Sequence, residues 1–145
     1  MVILLDSNVL LRSVEPHHPH CSWAETAVAT LRLRNDTLCV APQNLIEFWA
    51  VATRPADDNG LGMSPSAAAG ELARLLRLFR LLPSTPEVFE RWRELASSFG
   101  VSGKQAHDAH LVALMLAYAV GNILTFNGSD FRRYAGITAL DPRQF

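Results

Sequence analysis

The sequence predicts an α/β fold with a mostly parallel central sheet of four to five short strands flanked by helices. Short apolar runs at Val2–Leu5, Thr37–Ala41, Ile123–Phe126 and Ile137–Leu140 are strand-length. Between them lie longer stretches with apolar residues at helical spacing. Val2–Leu5 has no polar alternation, as expected of a strand covered on both faces of a parallel sheet.

Each element has a local reason. The first strand is stopped by Asp6, Ser7 and Asn8, and Pro16–His20 forms a loop. Ser22 and Glu25 have capping-box spacing for a helix to about Leu33. Asn35-Asp36 turns the chain into the second strand, and Pro42 opens a helix that Arg54-Pro55 ends at Thr53. Residues 56–63 form a loop rich in Asp, Asn and Gly. Ser64-Pro65 begins a helix with the stripe Leu72, Leu75, Leu76 and Phe79, and Leu81-Leu82 reads as a small strand. Thr85-Pro86 repeats the device before the stripe Phe89, Trp92, Leu95, Ala96 and Phe99. Gln105–Tyr118 is apolar on nearly every face after its first turn, so it belongs in the core. A helical turn over Gly128–Tyr134 separates the last two strands.

A chain of 145 residues, 49% apolar and 19% charged, fits one globular domain spanning 1–145. No signal peptide or membrane span is expected, and two cysteines without metal-type pairing suit a reduced, cytoplasmic setting. The net charge of −1 provides no global attraction for nucleic acid, so any such contact needs a local basic patch.

Four acids stand apart from the solvated ones. Asp6 ends the first strand, where it either caps the next turn or helix or reaches a ligand site. Glu47 is flanked by apolar residues in Asn44–Val51. Asp108 lies in the first turn of the apolar helix, where the helix N-terminus alone favours an acid. Asp130 follows the strand bearing Thr125, where it either caps the turn through Tyr134 or reaches the same site as Asp6. If those two strands are neighbours, their loops open on one crevice, and Glu47 and Asp108 can point into it. Unit charges ~4 Å apart repel by ~4 kcal/mol at an effective dielectric near 20. A divalent cation relieves that repulsion, and oxygen-only ligands favour Mg²⁺ or Mn²⁺ over zinc. Ser7, Asn8 and Thr125 would orient the acids or a metal-bound water.

The ordered pieces Leu5-Asp6-Ser7-Asn8-Val9-Leu10, Asn44-Leu45-Ile46-Glu47-Phe48, His107–Ala113 and Ile123–Phe131 span nearly the whole chain. Together they resemble the PIN-domain ribonucleases, most closely the VapC-type toxins of bacterial toxin–antitoxin pairs. The resemblance implies a PIN-like fold and an Mg²⁺- or Mn²⁺-dependent endoribonuclease with Asp6, Glu47 and Asp108 as metal-binding acids. Many relatives have an acid two residues after the Thr of the last motif, where this chain has Asn127. Asp130 replaces that acid, or Asn127 binds through its carbonyl. The resemblance also implies an RNA substrate, a cognate VapB-type antitoxin and a homodimer. Arg12, Arg54, Arg132 and Arg133 are candidates for phosphate contact.

Other readings fare less well. Pro16 and Pro19 break the spacing that would make His17, His18, His20 and Cys21 a zinc site, and a loop near the site mouth is expected instead. Asn8 stands where aspartyl-phosphate enzymes resembling haloacid dehalogenases carry a second Asp, and no Gly-x-Gly-x-x-Gly turn is present. The alternative of a different class is a catalytically silent PIN-like module that binds RNA or protein.

Overall fold

The computed structural model describes residues 1–145. Five parallel strands, β1 (Val2–Leu5), β2 (Thr37–Val40), β3 (Arg80–Leu81), β4 (Asn122–Leu124) and β5 (Thr138–Leu140), lie in the order β3-β2-β1-β4-β5. The chain winds outward from β1 to β3, then returns to place β4 on the other side of β1. The switch point therefore falls between β1 and β4.

Six helices cover the two faces: α1 (Ser7–Ser13), α2 (Cys21–Leu33), α3 (Pro42–Thr53), α4 (Pro65–Leu78), α5 (Pro86–Ser98) and α6 (Gln105–Ala117). Side chains alternate across a strand, so Ile3 and Leu5 join one core, with Leu38, Val40, Leu124 and the inner faces of α1–α4. Leu4 faces the other core, with Cys39, Ile123, Val88 and the apolar length of α6. The apolar runs of β1, β2 and β4 are thus buried on both faces, whereas the edge run Ile137–Leu140 is only half-buried. In α6, Leu111–Met115 is fully enclosed, as its all-round apolarity predicted.

Several local expectations need correction. Helix α1 is an addition: seven residues show too little periodicity to be recognised from sequence. Helix α2 begins at Cys21 with His20 at its N-cap, so Ser22 and Glu25 form no capping box. The entry is fixed one step earlier, where the His20 N–H donates to His18 Nδ1 at 3.0 Å. Ser64 caps α4 by accepting from the Ala67 N–H at 3.1 Å, whereas Thr85 makes no side-chain cap for α5 and Pro86 alone opens it. Leu76 and Phe89 of the predicted apolar stripes face solvent. Strand β4 stops at Leu124, which releases Thr125 and Phe126 to the loop that matters for the site.

The loop after α3 contains a short helical turn at Ala56–Asp58 and folds back on the helix end, with the Gly62 N–H donating to Arg54 O at 2.9 Å. A Cβ at Gly60 would lie 2.0 Å from that same carbonyl oxygen. Gly60→Ala is therefore expected to cost about 2–3 kcal/mol, seen as a fall of roughly 5–10 °C in thermal unfolding. An unchanged melting temperature would show that this loop has a second packing.

Candidate functional site

Asp6 leaves β1 at the switch point, its N–H still paired with Leu124 O at 3.0 Å. Its carboxylate is 8% exposed and does two things at once. Oδ1 caps α1 by accepting from the Ser7 N–H at 2.8 Å. Oδ2 accepts from Thr125 Oγ1 at 2.7 Å and from Asn8 Nδ2 at 3.2 Å. Of the two readings of Asp6 the helix cap is present, and the same carboxylate also faces Thr125 across the β1–β4 crevice.

Ser7 carries the site to α3, because its hydroxyl donates to Glu47 Oε2 at 2.7 Å and lies 3.4 Å from Asp6 Oδ1. Asn8 and Thr125 close the β1–β4 side: Asn8 Nδ2 lies 3.2 Å from Thr125 Oγ1, and Asn8 Oδ1 accepts from the Phe126 N–H at 3.3 Å. The Asn127 N–H donates to Thr125 Oγ1 at 3.0 Å, while the Asn127 side chain stands exposed.

Helix α6 delivers Asp108 from its first turn, and the short helical turn Gly128–Phe131 delivers Asp130. Asp130 is exposed and does not cap that turn; Asn127 holds the cap position and makes no side-chain cap bond. Burial, then the charges of Asp130, Asp6 and Glu47, push the Asp108 carboxyl up to about 6. Burial chiefly raises the Asp6 carboxyl as well; the Thr125 and Ser7 hydrogen bonds oppose it and the Glu47 charge adds to it. The four predicted acids thus lie within electrostatic reach of one another.

Gln43 and His110 complete the arrangement and were not singled out from the sequence. Gln43 Nε2 donates to Glu47 Oε1 at 2.8 Å and to His107 O at 2.9 Å. With that amide nitrogen committed, Gln43 Oε1 accepts from His110 Nδ1 at 2.6 Å. One side chain therefore ties α3 to α6. The i, i+4 spacing of Gln43 and Glu47 was the available signal.

The arginines divide. Arg54 sits at the far end of α3, about 10 Å along the axis from Glu47 at 1.5 Å per residue. Arg12 is paired with Glu15 at 2.6 Å. Arg133 braces α6 against the end of α5, donating to Gln105 Oε1 at 3.0 Å and Phe99 O at 3.1 Å. Arg132 is exposed and lines a cavity with Asp108 and Asp130. His18, His20 and Trp23 form an aromatic group, with His20 stacked on Phe126 at 4.7 Å.

The donor set can be weighed against a metal. No three His, Cys, Asp or Glu side chains converge tightly enough to hold an ion by themselves. The acids nevertheless offer only hard oxygen donors and a mutual repulsion that a divalent cation would relieve. Such an open arrangement suits Mg²⁺, which keeps several waters and takes one or two carboxylates alongside phosphate oxygens.

The class defined by this geometry is a doubly covered parallel α/β domain with carboxylates gathered outside the strand ends at the switch point. Residues 3–137 match the PIN domain family model, and the chain belongs to that family. Among solved structures it is similar to VapBC2 from Rickettsia felis, solved bound to a DNA fragment from their promoter. That match has a TM-score of 0.72 and 15% identity over 97% of this chain and 98% of that one. It is likewise similar to FitAcB from Neisseria gonorrhoeae, with a TM-score of 0.70 and 20% identity over 99% of each chain. A third similar structure is VapC20 from Mycobacterium tuberculosis, described as a sarcin-ricin loop cleaving toxin. There the TM-score is 0.61 and the identity 16%, covering 83% of this chain and 86% of that one. These similarities establish a shared fold. Comparison with curated protein sequences gave no match. No helix is long and apolar enough to cross a membrane.

Proposed function

We propose that the chain is an Mg²⁺-dependent endoribonuclease, with Mn²⁺ able to substitute, acting in the cytoplasm as the toxin of a toxin–antitoxin pair. In this reading its partners are an RNA substrate, a VapB-type antitoxin and a second copy of the chain. The observation that carries the proposal is the gathering of Asp6, Glu47, Asp108 and Asp130 at the β1–β4 switch point. The solved VapBC and FitAB structures with the same fold support the antitoxin half.

Asp6, Glu47 and Asp108 would hold the cation together with water and phosphate oxygens, directly or through those waters, with Asp130 beside them. When bound, the cation polarises the scissile phosphate and lowers the pKa of a coordinated water. The protein's own groups fix the geometry. Thr125 and Asn8 hold Asp6 Oδ2, while Ser7 and Gln43 occupy one oxygen each of Glu47, so these carboxylates are already oriented. Asp108 joins them from the first turn of α6, and a carboxylate of this group would help position the attacking water.

The test is cleavage of single-stranded RNA by the purified chain with Mg²⁺ or Mn²⁺ and with chelator, beside calorimetric titration with Mn²⁺. The parent is expected to cut only with the cation and to release binding heat, and Asp6→Asn to do neither. An Asp6→Asn protein that cuts as fast as the parent would remove these acids from the chemistry. A parent that neither cuts nor binds Mn²⁺ would instead be a silent binding module.

A further inference from the structure

Two of the three acids assigned to the cation are held by the protein, and the third is not. Asp6 accepts from the Ser7 N–H, Thr125 Oγ1 and Asn8 Nδ2, and Glu47 accepts from Ser7 Oγ and Gln43 Nε2. No group donates to Asp108, whose carboxyl is moved only by burial and by neighbouring charges. Yet a carboxylate at a cation site is ordinarily fixed by a donor behind it.

One buried donor lies close by. A cavity of about 260 Å³ beside the first turn of α6 is lined by Asp108, Asp130 and Tyr134, together with Gln105, Ser129 and Arg132. The last three are exposed, so water exchanges freely for each of them. Tyr134 is only 3% exposed, with its ring packed on Phe99 at 5.0 Å between centroids. Its hydroxyl is buried and has no hydrogen-bond partner, an unfavourable state for a polar group. Arg133 lies next to it, but Nη1 and Nη2 are spent on Gln105 Oε1 and Phe99 O. A guanidinium only donates, so the phenol hydrogen has no acceptor in the protein. Burial raises the Tyr134 phenol, Arg133 opposes this, and the Asp108 charge raises it further. Asp108 is thus beyond hydrogen-bond distance of the hydroxyl yet within reach of its field. A polar cavity of this size admits water, which can span such a gap nearly as well as a direct bond.

We propose that Tyr134 is the positioning residue for Asp108: its hydroxyl donates to a water in this cavity, and that water donates to an Asp108 carboxylate oxygen. No proton changes owner; the relay fixes one oxygen and leaves the other toward the cation. Asp108 is thereby served as Thr125 serves Asp6 and Gln43 serves Glu47. The inference rests on the nuclease reading for what the oriented carboxylate does, whereas the two hydrogen bonds stand without it.

The experiment reads the hydroxyl directly, through the carbon NMR resonance of the tyrosine Cζ in chelator. The chain has two tyrosines. Tyr118, whose hydroxyl donates to Pro83 O at 2.7 Å, is the internal reference, and Tyr134→Phe identifies the other line. Asp108→Ala removes the acceptor, which Asn would keep, and is expected to move the Tyr134 resonance while Tyr118 stays put. Tyr134→Phe keeps the ring on Phe99, so it should melt close to the parent. It is expected to lose roughly 10- to 100-fold in kcat, with KM for RNA unchanged because the hydroxyl positions an acid and touches no RNA. A purely structural Tyr134 would lower the melting temperature and leave the resonance indifferent to Asp108. A Tyr134 resonance unmoved by Asp108→Ala, or a parental kcat in Tyr134→Phe, would overturn the relay. If the parent still cuts RNA in that case, the relay falls and the nuclease reading stands. If the resonance moves but the parent neither cuts nor binds Mn²⁺, the relay stands and the nuclease reading falls.

Discussion

Asp108→Asn is expected to slow metal-dependent RNA cleavage about a thousandfold, ~4 kcal/mol of barrier, while raising the melting temperature measured in chelator at pH 8. The two effects share a cause. Asp108 is held among Asp130, Asp6 and Glu47, and its carboxyl is pushed up from 3.8 to about 6. A folded-state value above the unfolded one means that the native state keeps a proton that the unfolded chain has lost. The contribution to stability is complete below pH 3.8 and is lost as the pH rises through about 6. Above that range the ionised native state carries a penalty that Asn does not. Asp108 is partly solvated, so screening reduces the gain to on the order of 1 kcal/mol. The α6 N-terminus favours the carboxylate by only ~0.3–1 kcal/mol, less than such a shift represents. The variant should therefore melt higher than the parent at pH 8 and nearly equal to it at pH 4. A variant melting below the parent at pH 8 would show that the acids do not repel. A variant cutting at the parental rate would show that Asp108 is outside the chemistry.

Thr125→Val is expected to damage folding and cleavage together. The Thr125 hydroxyl is buried, at 1% exposure, and donates to Asp6 Oδ2 at 2.7 Å. It also accepts from the Asn127 N–H at 3.0 Å and lies 3.2 Å from Asn8 Nδ2. Valine fills the same volume and supplies none of these bonds, so a carboxylate is left inside with one donor fewer. The cost is about 2–3 kcal/mol, a drop of roughly 5–12 °C in melting temperature. The Asp6 carboxyl, already raised by burial, rises further once the opposing Thr125 bond is gone. Thr125→Ser, which keeps the hydroxyl, should recover most of the cleavage rate, whereas equal rates in Val and Ser proteins would reduce Thr125 to packing.

Much of this could be read from the chain. Apolar runs without alternation gave both the parallel sheet and its burial, and the apolar girth of α6 placed it in the core. The acids could be picked out by position, because Asp6 and Asp130 follow strand ends, Glu47 is flanked by apolar residues and Asp108 opens the core helix. What escaped were short-range matters decided by tertiary contacts. Helix α1 is barely two turns, and the start of α2 is set by the His18 ring, which propensity does not see. Gln43 and His110 matter because α3 and α6 meet, and no local pattern announces that meeting. Arg54 and Arg133 show the reverse. Charge alone nominated them, and only geometry separates a brace from a free cation.

The strand order has a consequence for when the protein can act. Strand β1 is made first, yet its neighbour β4 comes more than a hundred residues later. Asp6 therefore meets Thr125 and Asp130 only after nearly the whole polypeptide has been synthesised. While the chain is still growing on the ribosome, surrounded by RNA, the carboxylates remain scattered along it. Long-range pairing of this kind closes late in folding. The topology thus works as a built-in delay, keeping the acid cluster unassembled until its last strands have been translated.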